Sequence, residues 1–231
     1  MAQGNTQQNT PQWYADRLFH FTSSEVEKLL KVPKDKADKE AGKLPASAEG
    51  YILNKLAEVL TNGTSLDYTS IDTKEVRWGD EHEQDARVEY ERRTGYTVEL
   101  CGFIALNAGF GGSPDGLVGE EGMIEIKCPY LPANHARNLL LQTPEALRKA
   151  HPEYYAQMQG NMLATGRKWC DFVSYDPRVQ NAPLMLSILR IERDEEYIAR
   201  IVDALDRATA LKNEYMARLV ALMSKGYGGD K

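Results

Sequence analysis

One stretch does most to restrict the fold. Gly112–Pro129 reads G-S-P-D-G-L-V-G-E-E-G-M-I-E-I-K-C-P. Ser113-Pro114-Asp115-Gly116 is a turn by its chemistry, with proline fixing φ and glycine at the fourth place. Gly119 to Gly122 makes a second turn. Between and after them, Gly116–Val118 and Met123–Cys128 are β-prone runs. Side chains alternate along a strand, so Ile124 and Ile126 share one face while Glu125 and Lys127 share the other. The isoleucines then enter a core, and Glu125 and Lys127 face a cleft beside Asp115.

The rest of the chain fits an α/β domain around that unit. Its 231 residues suit one large domain or two small ones. With 42% apolar and 27% charged residues it is neither collagen-like nor fully disordered. No apolar run approaches the ~20 residues of a membrane-spanning helix. Residues 1–11 carry no basic patch and no apolar segment, so they read as a disordered tail rather than a secretory signal. Residues 31–46 are charged and poor in apolar side chains, which predicts a mobile surface loop. From residue 12 onward the chain reads as a single domain.

Apolar spacing predicts a helix over Ser47–Thr61, closed by Asn62-Gly63. A second covers Trp78–Thr94, with Trp78, His82, Ala86 and Tyr90 as its inward stripe and Gly95 as its stop. Short strands are expected at Tyr96–Leu100 and Cys101–Leu106. Helical patterns cover Pro144–Thr165, broken near Pro152. Further strands fit Trp169–Tyr175 and Leu184–Ile191. A long helical segment spans 194–224, with Met216 and Met223 covering the core or a subunit contact. This order suggests a central mixed β-sheet flanked by helices.

Cys101, Cys128 and Cys170 are odd in number and widely spaced, which favours reduced thiols in a cytosol. None of the four histidines shows ligand spacing. The formal net charge of −6 argues against coating nucleic acid by charge alone. It is compatible with a metal-dependent nuclease, whose site is itself built of carboxylates. Two carboxylates from adjacent strands beside a lysine suit a hard cation such as Mg²⁺. A cation there neutralises charge on phosphoryl oxygens and activates water. Nearby cations would depress the lysine's own pKa.

Pro114-Asp115 followed by Glu125-Ile126-Lys127 resembles the PD-(D/E)XK nuclease fold, the restriction-endonuclease-like core. Further blocks resemble the phage lambda exonuclease, or YqaJ-like viral recombinase, family. They are Trp13 with Arg17, Thr22, Ser24 and Glu25; Trp78-Gly79 before Glu83-Gln-Asp-Ala-Arg87; Ser113-Pro-Asp-Gly-Leu117; and Glu125-Ile-Lys-Cys-Pro129. Tyr155-Ala-Gln-Met-Gln159, Tyr175-Asp-Pro-Arg178 and Ile191-Glu-Arg-Asp-Glu195 complete the set, in family order. The chain departs from the pattern at Ile104–Ala108, which lacks an acid that some members carry there.

The resemblance implies roles residue by residue. Asp115, Glu125 and the Ile126 carbonyl would hold metal, Lys127 would be the catalytic lysine, and Glu83 an additional carboxylate. Arg17 and Ser24 would hold a 5′-phosphate, with Ser113 close by. Gln157 would border the site, and Arg137 is a candidate for a backbone-phosphate contact. Trp13 would pack in the core or stack on a DNA end. The implied activity is Mg²⁺-dependent 5′-to-3′ digestion of linear double-stranded DNA, with two Mg²⁺ per site and Mn²⁺ as a substitute. It would release 5′-mononucleotides and leave 3′ overhangs for a phage single-strand annealing protein. A homotrimeric ring around the DNA and a bacterial host cytosol are also implied. Two alternatives stand beside this: an endonuclease or repair nuclease of the same fold, and a non-catalytic DNA-binding scaffold.

Overall fold

The computed structural model describes residues 7–40, 43–64 and 73–226. The chain opens with α1 (Pro11–Arg17), β1 (Phe21–Thr22), a 3-10 turn at Ser23–Glu25, α2 (Glu27–Leu30) and α3 (Lys36–Glu40). Two longer helices follow, α4 (Ala46–Leu60) and α5 (Lys74–Thr94). Five strands come next: β2 (Val98–Glu99), β3 (Ile104–Asn107), β4 (Phe110–Gly112), β5 (Gly116–Val118) and β6 (Gly122–Lys127). Then come α6 (Pro132–Leu139), α7 (Pro144–Ala150), α8 (Pro152–Thr165), β7 (Trp169–Tyr175), β8 (Leu186–Glu192) and α9 (Glu195–Gly226).

The expected central sheet is two sheets. A small one runs β1-β4-β3, and a larger mixed one runs β2-β5-β6-β7-β8. In the larger sheet β5 pairs antiparallel with β6, and β6 pairs parallel with β7. Alternation on β6 sorts its side chains as the sequence predicts. Ile124 and Ile126 join Ala86 and Tyr90 of α5 in one core cluster. Met123, on the opposite face, joins a larger cluster with Phe21, Ile52, Phe110, Met158 and Ile201. The sheet is therefore covered on both faces, which makes β6 a rigid central strand.

Helix α5 is anchored to this sheet by a buried polar knot. Asp171 of β7 accepts the Tyr90 hydroxyl at 2.8 Å and a two-pronged contact from Arg190 at 2.8 and 2.9 Å. The helix ends where expected, at Gly95 with φ +74°. Proline again divides α7 from α8, because Pro152 suits the first helical position and cannot continue the preceding helix.

Several expectations change. Residues 7–11 are ordered: Thr10 caps α1, and the Gln8 amide donates to the Pro114 carbonyl at 2.8 Å. Residues 1–6 of the expected tail lie outside the described residues. The charged 31–46 loop contains α3, started by the Asp35 carboxylate accepting the Ala37 N–H at 2.8 Å; residues 41–42 lie outside the described part. The Tyr96–Leu100 and Cys101–Leu106 strands shorten to β2 and β3. The terminal segment is one helix, α9, along which Met223 stands in solvent rather than over the core. No helix among the described residues is long and apolar enough to cross a membrane.

Candidate active site

A groove of about 640 Å³ opens where β5 and β6 meet α5, α8 and the N-terminal segment. Asp115 stands at its floor because the Ser113–Gly116 turn delivers it to the start of β5. Its backbone N–H reaches the Ile124 carbonyl, and its Oδ2 accepts the Ile126 N–H at 2.6 Å. Glu125 and Lys127 project from β6 on the face toward α8. Lys127 Nζ donates to Glu125 Oε1 at 2.5 Å and lies 5.1 Å from the centre of the Tyr154 ring. Glu83 enters from α5, with Arg87 at 3.8 Å one turn along.

Burial first, then the neighbouring Asp115 carboxylate, pushes the Glu83 carboxyl up to about 7. The same two causes raise Glu125, which has no solvent exposure. Asp115 is raised by burial, against the pull of Lys127. Lys127 shows the counterpart: burial works against its charge, but Glu125 and Asp115 outweigh it and hold the ammonium above the ordinary lysine range.

Among the described residues no three His, Cys, Asp or Glu side chains form a ready-made metal cage. The donor chemistry nevertheless fits a hard divalent ion. Beyond burial, Asp115 raises the proton affinity of both Glu83 and Glu125, and Glu83 adds to that of Glu125, so negative charge gathers in one groove. Mg²⁺ takes oxygen ligands and keeps several waters, so it needs few protein ligands.

The other end of the groove is cationic. Arg17, at the end of α1, donates to Ser24 Oγ at 3.2 Å and to Ser113 Oγ at 3.4 Å. Trp13 Nε1 also donates to Ser113 Oγ, at 3.0 Å, and the Arg17 guanidinium lies 4.1 Å over the Trp13 ring. Trp13 is therefore both buried and part of the groove wall.

The structure brings Asp115, Glu125, Ile126, Lys127, Glu83, Arg17, Ser24, Ser113 and Gln157 to this one groove. Arg137 is not among its lining residues; its guanidinium donates to Asn134 Oδ1 at 3.0 Å on the exposed side of α6. Sequence reasoning missed Gln8, Tyr154 and Asn161, which also line the groove. Asn161 is fully buried and its Nδ2 donates to Glu125 Oε2 at 3.3 Å. The signal was present: Tyr154, Gln157 and Asn161 follow at three- and four-residue spacing, one face of a helix. His151, one of the histidines without ligand spacing, lines the groove as well and pairs with Asn138 Oδ1 at 3.1 Å.

Comparison with known proteins agrees with this architecture. The sequence profile of the YqaJ-like viral recombinase domain matches residues 12–168. The alkaline exonuclease LHK-Exo of Laribacter hongkongensis is 35% identical, with a TM-score of 0.73 over 93% of this chain and 100% of that one. The same values hold for its complex with dAMP. A phage-related exonuclease from Haemophilus somnus 129PT, at 21% identity, shares the fold with a TM-score of 0.69 over 89% of this chain and 99% of that one. No curated protein matches the chain. The mixed sheets and these likenesses define a nuclease of the exonuclease class. The chain belongs to the YqaJ-like viral recombinase family, as the motif blocks imply.

Proposed function

We propose that the protein is a Mg²⁺-dependent 5′-to-3′ exonuclease acting on linear double-stranded DNA. One observation carries this reading: a single groove joins an acidic end, Asp115, Glu125 and Glu83 with Lys127, to a cationic end, Arg17 with Ser24 and Ser113. Such a groove seats a terminal phosphate at one end and a scissile phosphodiester at the other. The relative from Laribacter hongkongensis is known in complex with dAMP, a nucleoside monophosphate of the product class.

Asp115, Glu125 and the Ile126 carbonyl would hold the cation, with Glu83 serving a second ion or its water; Mn²⁺ would substitute for Mg²⁺. When bound, the metal supplies charge neutralisation at the phosphoryl oxygens and acidifies water. Arg17 grips the terminal phosphate by charge-assisted hydrogen bonds, with the Ser24 and Ser113 hydroxyls beside it. Lys127 holds a proton at Nζ, from which it orients the attacking water or a phosphoryl oxygen. Asn161 keeps Glu125 aimed along the groove, and Gln157 borders the substrate.

Residues 12–231 act as one domain. Digestion leaves a 3′ overhang for a phage single-strand annealing protein. A homotrimeric ring would hold DNA by topology rather than by phosphate neutralisation, which suits a chain of net charge −6. The site of action is the bacterial host cytosol, where the three buried free cysteines stay reduced.

The test incubates linear duplexes, with and without 5′-phosphate, and a closed circle, in Mg²⁺ or EDTA. Mononucleotides are expected from the linear duplexes in Mg²⁺, faster from the 5′-phosphorylated one, and none from the circle or in EDTA. Cutting of the circle would instead support an endonuclease, and no nucleotide release from any substrate would support a binding scaffold.

A further inference from the structure

Helix α4 carries buried polar side chains that this chemistry leaves unused. Lys55 and Glu58 are only 7% and 6% exposed, with Nζ 2.7 Å from Oε1. A buried ion pair gains little over apolar residues of similar volume, yet this one sits on a helix whose other inward residues include Ala48, Ile52 and Leu56. Its second oxygen has a task elsewhere. Glu58 Oε2 accepts the backbone N–H of Phe19 at 2.8 Å. Phe19 has φ +68°, a left-handed conformation that strains a bulky residue and persists only when its surroundings impose it.

Two turns earlier on α4, buried Tyr51 does the same for the next part of the chain. Its hydroxyl accepts the Thr22 N–H at 2.8 Å and lies 3.4 Å from Thr22 Oγ1. Thr22 Oγ1 is in turn 3.2 Å from Ser24 Oγ. The segment from Leu18 to Ser23 is the link between Arg17 and Ser24, and α4 clamps it at two backbone N–H groups. Tyr51, Lys55 and Glu58 are not among the residues lining the groove.

We propose that Tyr51 and the Lys55–Glu58 pair are positioning residues that fix the separation of Arg17 from Ser24 and so set selectivity for a 5′-phosphorylated DNA end. The inference rests on reading Arg17 and Ser24 as the end-binding pocket. A guanidinium fork and a hydroxyl grip a phosphate together only at a set spacing, whereas a 5′-hydroxyl end makes no such demand. Loosening the link therefore weakens capture of the phosphorylated end and leaves the carboxylates, held by α5 and the β5–β6 hairpin, in place.

The experiment measures steady-state cleavage of linear duplexes bearing 5′-phosphate or 5′-hydroxyl ends, with thermal unfolding as a check on the folded fraction. Tyr51→Phe keeps the ring and removes the acceptor. It should raise KM for phosphorylated ends about fivefold, the usual net worth of one neutral hydrogen bond, with kcat and the 5′-hydroxyl reaction unchanged. Two double variants, both lacking the buried charges, isolate the Phe19 contact. Lys55→Met/Glu58→Gln retains a neutral acceptor and should keep the wild-type selectivity. Lys55→Met/Glu58→Leu removes it and should lose about fivefold in selectivity by the same reckoning.

Equal losses on both kinds of end, or unchanged selectivity in Tyr51→Phe and Lys55→Met/Glu58→Leu, would overturn the proposal. The arms also separate the two readings. If Arg17→Ala abolishes selectivity while the α4 variants keep it, only the positioning role fails. If wild type shows no preference for 5′-phosphate, or Arg17→Ala retains one, the end-binding pocket itself fails and the positioning role with it.

Discussion

The two ends of the groove are precise by different means. The acidic end draws Asp115, Glu125, Ile126 and Lys127 from one hairpin, so backbone register sets their spacing. The cationic end collects Arg17, Ser24 and Ser113 from separate segments and holds them by side-chain contacts and a clamp from α4. A site set by register fails mainly when a chemical group is removed. A site set by tertiary contacts also fails when a group moves.

The largest expected effect therefore lies at the acidic end. Lys127→Ala removes the proton-bearing group from a rigid strand and should cut turnover by about 10²–10⁴-fold, the usual worth of a positioned acid or base. Binding of DNA ends, measured by fluorescence anisotropy, should persist because the cationic end is untouched. Unchanged turnover would remove Lys127 from the chemistry. Next in size is Arg17→Ala. Loss of a charged hydrogen-bond donor costs about 1.5–3 kcal/mol, or roughly 10–100-fold. That loss should fall on 5′-phosphorylated ends alone, erasing their advantage over 5′-hydroxyl ends. An unchanged ratio of the two rates would break the comparison between the ends.

The same contrast explains what was legible in the sequence. Strands β5, β6 and β7 and helix α5 could be read because glycine turns and apolar alternation mark them locally. Asp115, Glu125 and Lys127 followed, since register alone places them. The cationic end was reached only through family resemblance, because no local pattern shows that Arg17, Ser24 and Ser113 meet. Strand β4 was hidden for a physical reason. Gly111-Gly112 looks like a turn, but glycine is needed there for close packing: a Cβ on Gly112 would lie 2.2 Å from Asn161 Oδ1 and 2.5 Å from Ser23 Oγ. Gln8 was lost with a polar N-terminus because its own amide contacts, to the Cys101 and Pro114 carbonyls, are long-range. Helix α6 is mostly polar, and only Pro132 at its start hinted at it.

A smaller effect tests whether Glu83 shares the rigidity of the hairpin, since it arrives on a helix rather than a strand. Tyr90 ties α5 to Asp171 two turns from Glu83, and Arg190 remains bonded to Asp171 without it. Tyr90→Phe should cost about 1 kcal/mol in urea unfolding and leave cleavage unchanged. A large fall in kcat with normal stability would show that the catalytic end, too, depends on tertiary positioning.

The smallest effect concerns the end of β6 beyond Lys127. Arg178 bonds Asp176 at 2.8 Å, reaches the Pro129 carbonyl at 3.1 Å and lies 4.2 Å over the Trp78 ring. The Tyr175–Arg178 block thus braces the exit of β6, and none of its residues lines the groove. Burial opposes the Asp176 charge, but its bonds with Arg178 outweigh that and hold its carboxyl below the ordinary range. A lowered carboxyl pKa means that the unfolded chain takes up protons first as pH falls. The contribution is therefore complete above the ordinary aspartate pKa of about 3.9, and is lost as pH drops toward the lower native value. Because Arg178 is over a third exposed at 37%, the pair is worth less than about 1 kcal/mol. Asp176→Asn should accordingly lower Tm by no more than about 2–4 °C at pH 7, with a difference from wild type that shrinks below pH 4. A difference that grew on acidification would mean that Asp176 is held neutral, and that the brace on β6 is not an ion pair.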